Sequence, residues 1–220
     1  MTPRSFLVDD QLAAYLNAHA TQPDGTVAEL VAETAALGPV SGMQIGTDQA
    51  ALLTLLTGLV GTKSAVEVGT FTGLSSIAIA RGLEPGGRLM CCDVSEEYTA
   101  IARRYWARLG LDDRIELRLA PAIETLAALP DEPTIDFAFI DADKGGYSAY
   151  FDALVPRMRP DGLIVVDNVL WGGRAPQRPS DDDKPDLSAI RAFNDKVTAD
   201  DRVESVLLAM ADGLTLARKR

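Results

Sequence analysis

The sequence predicts an α/β protein with a mainly parallel seven-stranded sheet, whose last two strands form an antiparallel hairpin, preceded by a helical extension. Three observations predict this fold. Helical periodicity dominates residues 1–62, whereas from residue 63 onward short apolar runs rich in β-branched residues alternate with amphipathic stretches. Such alternation is typical of βαβ crossovers in a parallel sheet. Near the end, Asp212-Gly213 joins two strand-like runs, which is a strong hairpin signal.

The extension, residues 1–62, contains three predicted helices. The first shows apolar side chains at helical spacing before residue 20. The second spans 23–37, with Pro23 in its first turn. The third spans about 47–60, with Thr47 as its N-cap, and is apolar enough to be largely buried. We expect this extension to cap a site on the second region, 63–220, or to pair with a second copy of the chain.

Five strands are predicted in the second region because each is a short apolar run bounded by turn residues: 64–70, 87–94, 114–120, 134–143 and 162–168. The predicted helices between and after them are 73–83, one from Ser95, one from Pro121, 147–158 and 185–200. The hairpin strands are 202–210 and 214–220. The stretch 172–186, rich in Gly, Pro and Asp, is predicted to be a mobile surface loop whose acidic run, 181–183, is solvated.

Composition and charge narrow the classes of function. The chain has 220 residues, 47% of them apolar, and a net charge of −11. This length can bury a full core. Because nucleic acids and anionic membranes bind clustered Lys and Arg, the acidic balance argues against both partners. Asp9 and Asp10 interrupt any signal-peptide pattern, and no run of ~18 apolar residues is present, so we expect a cytoplasmic protein.

The two cysteines, Cys91 and Cys92, are adjacent in a predicted strand. Neighbouring residues of a strand point to opposite faces, so a mutual disulfide is not expected. The sequence has no CxxC pattern and no Cys/His cluster, which argues against a zinc site. We interpret both residues as buried thiols.

Polar residues follow nearly every predicted strand: Glu67 with the turn 69–73, then Asp93, then 141–144, then Asp167 with Asn168. Ligands of open α/β sheets bind beyond the carboxyl ends of the strands. Asp and Asn also cap helices and form turns, so each residue alone has a structural explanation. The repetition at one edge of the sheet favours a binding site.

The first turn, within "EVGTFTG", is neither a GxGxxG pattern nor a P-loop, so it does not suit a pyrophosphate. Asp93, at the end of the second strand, is placed to accept hydrogen bonds from ribose hydroxyls. Together they indicate an adenosine-like cofactor without a pyrophosphate, for which S-adenosylmethionine is the candidate. Asp141, Asp167 and Asn168 offer hard oxygen ligands for Mg²⁺ or a similar cation, although Asp167-Asn168 also suits a plain turn.

The segments "MQIG", "EVGTFTGLSS", "CDV", "FIDADK" and "VVDNVLW" resemble, in order and spacing, the class I cation-dependent O-methyltransferases, which include the caffeoyl-CoA and catechol enzymes. The resemblance covers about residues 40–220. It implies a Rossmann-like S-adenosylmethionine-dependent methyltransferase fold for 63–220. It also implies a hydroxylated aromatic acceptor, with vicinal hydroxyls, and a homodimer.

The resemblance further implies roles for particular residues. Those implied to contact the cofactor are Ile45, Glu67, Gly69, Thr70, Ser75, Asp93, Ala122 and Asp143. Asp141, Asp167 and Asn168 would hold the cation, most simply Mg²⁺, with Ca²⁺ or Mn²⁺ as alternatives. Asp141 and Lys144 would be catalytic, with Lys144 as the general base. Trp171, just past the metal pair, would wall the acceptor pocket or else pack against the following helix. Gly172 departs from the caffeoyl-CoA branch, where Asn is frequent.

Two other functions remain open from the sequence. One is a nicotinamide-dependent oxidoreductase on a similar sheet, which the missing third glycine opposes. The other is a binding protein that keeps the fold without catalysis, which the complete set of polar strand ends opposes. A thermal-shift comparison of S-adenosylhomocysteine with NAD, and a methyl-transfer assay on a catechol panel, discriminate them.

Overall fold

The computed structural model describes residues 8–180 and 182–220. Its helices are α1 (Asp10–Ala18), α2 (Gly25–Ala35), α3 (Thr47–Val60), α4 (Leu74–Gly82), α5 (Glu96–Arg108), α6 (Ala122–Ala127), α7 (Tyr147–Leu154) and α8 (Pro185–Ala199). Its strands are β1 (Ser64–Val68), β2 (Arg88–Asp93), β3 (Ile115–Leu119), β4 (Ile135–Ile140), β5 (Met158–Val166), β6 (Val203–Leu208) and β7 (Leu214–Lys219). Short 3-10 helices span Gly38–Met43, Lys144–Gly146 and Val155–Arg157.

The seven strands form one sheet in the order β3-β2-β1-β4-β5-β7-β6. Strands β1 to β5 are parallel, and β7 runs antiparallel to both β5 and β6. The predicted fold class and terminal hairpin are therefore confirmed. The chain order reverses between β1 and β4, and this switch point is where open α/β sheets bind ligands.

The sheet is covered on both faces. One hydrophobic cluster joins helices α2 to α5 to one face, and a second joins α6, α7 and α8 to the other. Every residue of β4 is buried, and all of them except Asp136 are apolar. Cys91 belongs to the first cluster and Cys92 to the second, so the two free thiols point to opposite faces as expected. In the two described ranges, no helix has the length and apolar character to cross a bilayer.

The helices of the extension differ from prediction at their starts. Helix α2 begins at Gly25, because the Asp24 side chain accepts a hydrogen bond from the Val27 backbone N–H and caps it; Pro23 precedes the helix. Helix α3 is capped by Gly46, and Thr47 is its first helical residue. Residues 1–7 of the first predicted helical stretch lie outside the described residues.

Strand β5 begins at Met158, four positions before the predicted start at 162 (162 − 158 = 4). Pro160 and Gly162 look like a turn in the sequence. Instead they lie in an irregularity of the strand, between the pairs Ile135–Met158 and Phe137–Leu163. Asp161 takes a positive φ of 63° there. A bulge accommodates these residues without ending the strand.

Asp136 in β4 ties the start of β1 to β5. Its Oδ2 accepts hydrogen bonds from the backbone N–H groups of Lys63 (2.7 Å) and Ser64 (2.8 Å). Its Oδ1 accepts one from Arg159 Nε. Only 8% of Asp136 is exposed, so water cannot easily replace these bonds.

We predict that Asp136→Ala lowers the free energy of unfolding by roughly 1–3 kcal/mol, because it leaves two part-buried N–H groups and one part-buried guanidinium without their acceptor. Urea denaturation measures the loss. Asp131→Ala is the matched control, since Asp131 is 80% exposed and lies 3.8 Å from Arg157; its effect should stay within about 0.5 kcal/mol. Equal effects of the two substitutions would contradict the role of Asp136.

Candidate active site

A cavity of about 810 Å³ opens at the carboxyl ends of β1, β2, β4 and β5. One end of it is lined by the predicted cofactor residues Ile45, Gly69, Thr70, Ser75, Ala122 and Asp143, together with Asp93. The other end is lined by the predicted metal, catalytic and acceptor residues Asp141, Lys144, Asp167, Asn168 and Trp171. The structure thus brings every predicted site residue to one cavity except Glu67.

The turn after β1 approaches the backbone of the next strand so closely that it requires glycine. Gly69 has a φ of 92°, and a Cβ there would lie 1.9 Å from the Asp141 carbonyl oxygen. Asp93 holds the same turn, since its Oδ2 accepts hydrogen bonds from the Thr70 and Phe71 backbone N–H groups, both at 2.9 Å. Its Oδ1 accepts one from Ser95 N at 2.8 Å. A carboxylate has about four acceptor positions, so Asp93 retains capacity for a ligand hydroxyl.

Glu67 lies fully buried behind the cavity wall, close to Thr70 and Ser75. Within the described ranges, neither of its carboxylate oxygens has a hydrogen-bond partner. Burial raises the pKa of Glu67 from 4.5 to about 7, because the charged form loses its hydration. A carboxyl buried in this way is costly to keep charged.

The extension is bonded to the glycine turn through Thr72, a contact that the sequence analysis missed. Thr72 Oγ1 accepts hydrogen bonds from Thr34 Oγ1 of α2 (2.9 Å) and from Gln44 Nε2 (3.2 Å). All three side chains are buried. Gln44 and Ile45 therefore sit over the cavity as part of a fixed wall. No local sequence pattern predicts hydrogen bonds between side chains so far apart along the chain.

At the other end of the cavity, the side-chain nitrogen of Lys144 lies within hydrogen-bond distance of three side-chain oxygens. Lys144 Nζ donates to Asp141 Oδ1 (3.1 Å), to Asn168 Oδ1 (2.6 Å) and to Tyr147 Oη (2.7 Å). Tyr147 Oη in turn donates to the Asp167 backbone oxygen at 3.0 Å. Asn168 adopts a φ of 58°, a left-handed conformation that Asn tolerates better than most residues.

Asp167 is also enclosed, with 3% of its surface exposed. Burial, followed by repulsion from the neighbouring Asp141, raises the pKa of Asp167 to about 7. Its Oδ2 accepts a hydrogen bond from Gln49 Nε2 of α3 at 2.8 Å, and its Oδ1 accepts one from Asn168 N at 2.6 Å. Within the described chain no three His, Cys, Asp or Glu side chains cluster, so a cation site here would combine two carboxylates with the Asn168 amide.

The loop between β5 and α8 is fastened by ion pairs. Asp183 Oδ1 pairs with Arg174 (3.1 Å), its Oδ2 pairs with Arg191, and only 7% of its side chain is exposed. The prediction that the acidic run is solvated is therefore wrong for Asp183, while Asp181 lies outside the described residues. Trp171, at the start of this loop, is half-buried and lines the cavity.

Comparison with known proteins adds a family context to this geometry. The sequence profile of a family described as O-methyltransferase matches residues 17–220. A probable caffeoyl-CoA O-methyltransferase from Dictyostelium discoideum is 45% identical over 175 residues, covering 78% of this chain and 75% of the relative. The catechol O-methyltransferase domain-containing protein 1 of Mus musculus is 36% identical over 184 residues, covering 82% and 70%.

Solved structures agree in fold. An O-methyltransferase from Bacillus cereus in complex with S-adenosylhomocysteine superposes with a TM-score of 0.84 at 32% identity, covering 94% of this chain and 96% of the other. An O-methyltransferase of tomaymycin synthesis from Streptomyces achromogenes, in complex with S-adenosylmethionine, gives a TM-score of 0.81 at 27% identity, covering 94% of each chain.

We predict that Glu67→Gln stabilises the ligand-free protein increasingly between pH 4.5 and about 7. A raised pKa means that the folded protein prefers the protonated carboxyl, so the stability from Glu67 is complete below pH 4.5 and is lost as the pH rises to about 7. Gln mimics the protonated form at every pH, so the difference between variant and wild type should grow by up to about 3 kcal/mol.

Chemical denaturation of both proteins at several pH values measures this difference. Asp167 also has a raised pKa, but it is present in both proteins, so its contribution cancels from the stability difference. Glu97→Gln on the exposed surface of α5 controls for the substitution itself. A stability difference that is constant across this pH range would contradict the assignment.

Proposed function

Because this chain belongs to the O-methyltransferase family, we propose that it moves a methyl group from S-adenosylmethionine to one hydroxyl of a vicinal-dihydroxy aromatic molecule, with a divalent cation holding the acceptor. The observation that carries this proposal is that Lys144 Nζ bridges Asp141 Oδ1 and Asn168 Oδ1 beside the buried Asp167 carboxylate, in the same cavity as the glycine turn. The cofactor part rests on the family and on two similar structures that are complexes with S-adenosylhomocysteine or S-adenosylmethionine.

The cofactor end of the cavity has the chemistry that an aminoacyl nucleoside without phosphates needs. Glu67 supplies an unpartnered acceptor, and Asp93 retains acceptor capacity at the end of β2. The close approach at Gly69 leaves the turn compact rather than open for a pyrophosphate. Ile45, Thr70, Ser75, Ala122 and Asp143 complete the proposed binding set.

The acceptor end fits a divalent cation. Lys144 Nζ donates to both Asp141 Oδ1 and Asn168 Oδ1, and this supports a position between the two oxygens where positive charge is bound. Two carboxylates and an amide oxygen suit Mg²⁺, with Ca²⁺ or Mn²⁺ as alternatives, and leave positions for acceptor oxygens. When bound, such a cation lowers the pKa of a coordinated hydroxyl.

The protein side chains supply positioning and a proton acceptor. A free phenol has a pKa of about 10, so its proton must leave as the methyl group is transferred. Lys144 Nζ, in its neutral form, is the proposed acceptor for this proton, since it lies at the metal oxygens and faces the cavity. Trp171 walls the space for the aromatic ring, and Asp141 orients both the cation and Lys144.

The names of the relatives support one chemical class of methyl acceptor. Their names refer to caffeoyl-CoA and catechol O-methyltransferases and to tricin synthases, which we take as support for a hydroxylated aromatic acceptor. The family assignment does not favour the nicotinamide-dependent alternative. The polar set at the metal end, complete in this chain, does not favour a binding protein without catalysis.

We also propose a homodimer formed through the extension. Helices α1 and α3 lie against each other and expose large apolar side chains: Tyr15 (61%), Leu55 (62%) and Leu59 (83%). Large apolar side chains exposed on two packed helices support an interaction surface here.

Light scattering after size exclusion tests the dimer. We predict that the wild type elutes as a dimer at micromolar concentration and that Leu59→Asp elutes as a folded monomer. A monomeric wild type would rule out this interface.

For the cation, we predict that EDTA abolishes methyl transfer to catechol by dialysed enzyme and that excess Mg²⁺ restores it. A radiolabelled methyl-transfer assay measures both. The monomethyl ether of catechol serves as the matched acceptor and should react poorly, because it cannot chelate through two hydroxyls. Full activity in EDTA would reject the metal role.

For the base, we predict that Lys144→Ala lowers kcat by roughly 10²-fold or more while leaving the affinity for S-adenosylhomocysteine within about twofold of wild type. Lys184→Ala, on the exposed start of α8, is the control and should keep the wild-type kcat. If kcat of Lys144→Ala is unchanged, Lys144 is a structural or binding residue instead.

A further inference from the structure

Gln49 is a buried residue of the extension, and its side-chain amide donates a hydrogen bond to Asp167, a proposed ligand of the cation. It lies in the first turns of α3 and is 0% exposed. Its Nε2 donates to Asp167 Oδ2 at 2.8 Å, across a separation of 118 residues. It is not part of the cavity wall, so any effect on the site passes through Asp167.

Asp167 is otherwise fixed mainly through its backbone. Its N–H donates to the Ile140 carbonyl at 3.0 Å, and its carbonyl accepts from Tyr147 Oη at 3.0 Å. The carboxylate has two protein donors in the described ranges, Gln49 Nε2 on Oδ2 and Asn168 N on Oδ1. The terminal torsion of Asp is broad, so a carboxylate held at one oxygen only can rotate. One donor on each oxygen fixes the plane.

The amide is also an unusual choice for packing alone. Within the described residues, Gln49 Oε1 is a buried oxygen with no hydrogen-bond partner. An apolar side chain of similar length would fill the same space without burying that acceptor. The hydrogen bond that the Gln49 amide donates to Asp167 offsets this cost.

We infer that Gln49 is a positioning residue that sets the carboxylate plane of Asp167 for cation binding, so that the N-terminal extension contributes to the affinity of the metal site. This inference rests on the proposed cation dependence. Partners of metal ligands commonly change metal affinity by 10–100-fold when removed. Such a residue changes the affinity for the cation and leaves the affinity for the cofactor, held at the other end of the cavity, unaffected.

Mn²⁺ titration of the cofactor-free protein, followed by electron paramagnetic resonance, tests the inference directly. Gln49→Met keeps the length and removes the donor, and Gln49→Asn keeps the amide but shortens its reach. Both should weaken Mn²⁺ binding by at least about tenfold. Calorimetric affinity for S-adenosylhomocysteine should stay within about twofold, and kcat should recover at saturating cation.

Thr57→Val is the matched control. Thr57 is equally buried on α3, but its hydroxyl donates to the Leu53 carbonyl within the helix and does not reach the site. This variant should bind Mn²⁺ like wild type. The melting temperatures of the Gln49 variants should lie within about 4 °C of that of Thr57→Val.

The outcomes separate the two proposals. Unchanged Mn²⁺ affinity in folded Gln49 variants, beside a wild type that binds Mn²⁺, overturns the inference and leaves the proposed function intact. Mn²⁺ and S-adenosylhomocysteine affinities that fall together show a merely structural residue and also overturn it. A wild type that binds no Mn²⁺ at this site removes both the inference and the proposed cation dependence.

Discussion

The close approach of two carboxylates at the ends of neighbouring strands is the constraint on which the rest of the site depends. Asp141 follows β4 and Asp167 follows β5, and these strands pair in parallel register. Repulsion between the two groups adds to burial in raising the pKa of Asp167. Negative charge enclosed in this way requires positive charge nearby. Lys144 supplies positive charge to Asp141 through a hydrogen bond of 3.1 Å.

The helical extension forms part of the cavity wall and also covers the sheet. Two buried contacts attach it beside the cavity, one through Thr72 at the glycine turn and one through the Asp167 carboxylate. Each contact joins polar side chains that would be costly to bury unpaired. The cavity therefore takes its shape from both parts of the chain, although the chemistry-bearing residues lie beyond the strands.

The fold, and the gathering of most candidate site residues at one cavity, could be predicted from local pattern. Apolar runs that end in Asp141 and Asp167 identify both the strands and the edge where ligands bind, since parallel strands present their carboxyl ends together. The start of β5 could not be predicted, because Pro160 and Gly162 are compatible with a turn and only pairing with β4 makes them part of a strand. The burial of Asp183 could not be predicted for a related reason, since its ion-pair partner Arg191 lies in the next helix.

Gln49 and Thr72 were beyond sequence reasoning for a different physical cause. Their partners are separated by tens of residues, and a Gln or Thr inside a helix or turn carries no local signal of what it will meet. Only the packing of α2 and α3 on the sheet brings these groups into contact. Long-range polar contacts of this kind have to be read from the structure.

Anomalous diffraction from a crystal grown with Mn²⁺ and S-adenosylhomocysteine tests the central claim most directly. One strong manganese peak is expected in the cavity, about 2.0–2.3 Å from oxygens of Asp141, Asp167 and Asn168. A cavity that binds S-adenosylhomocysteine but shows no manganese peak between these three side chains would contradict it.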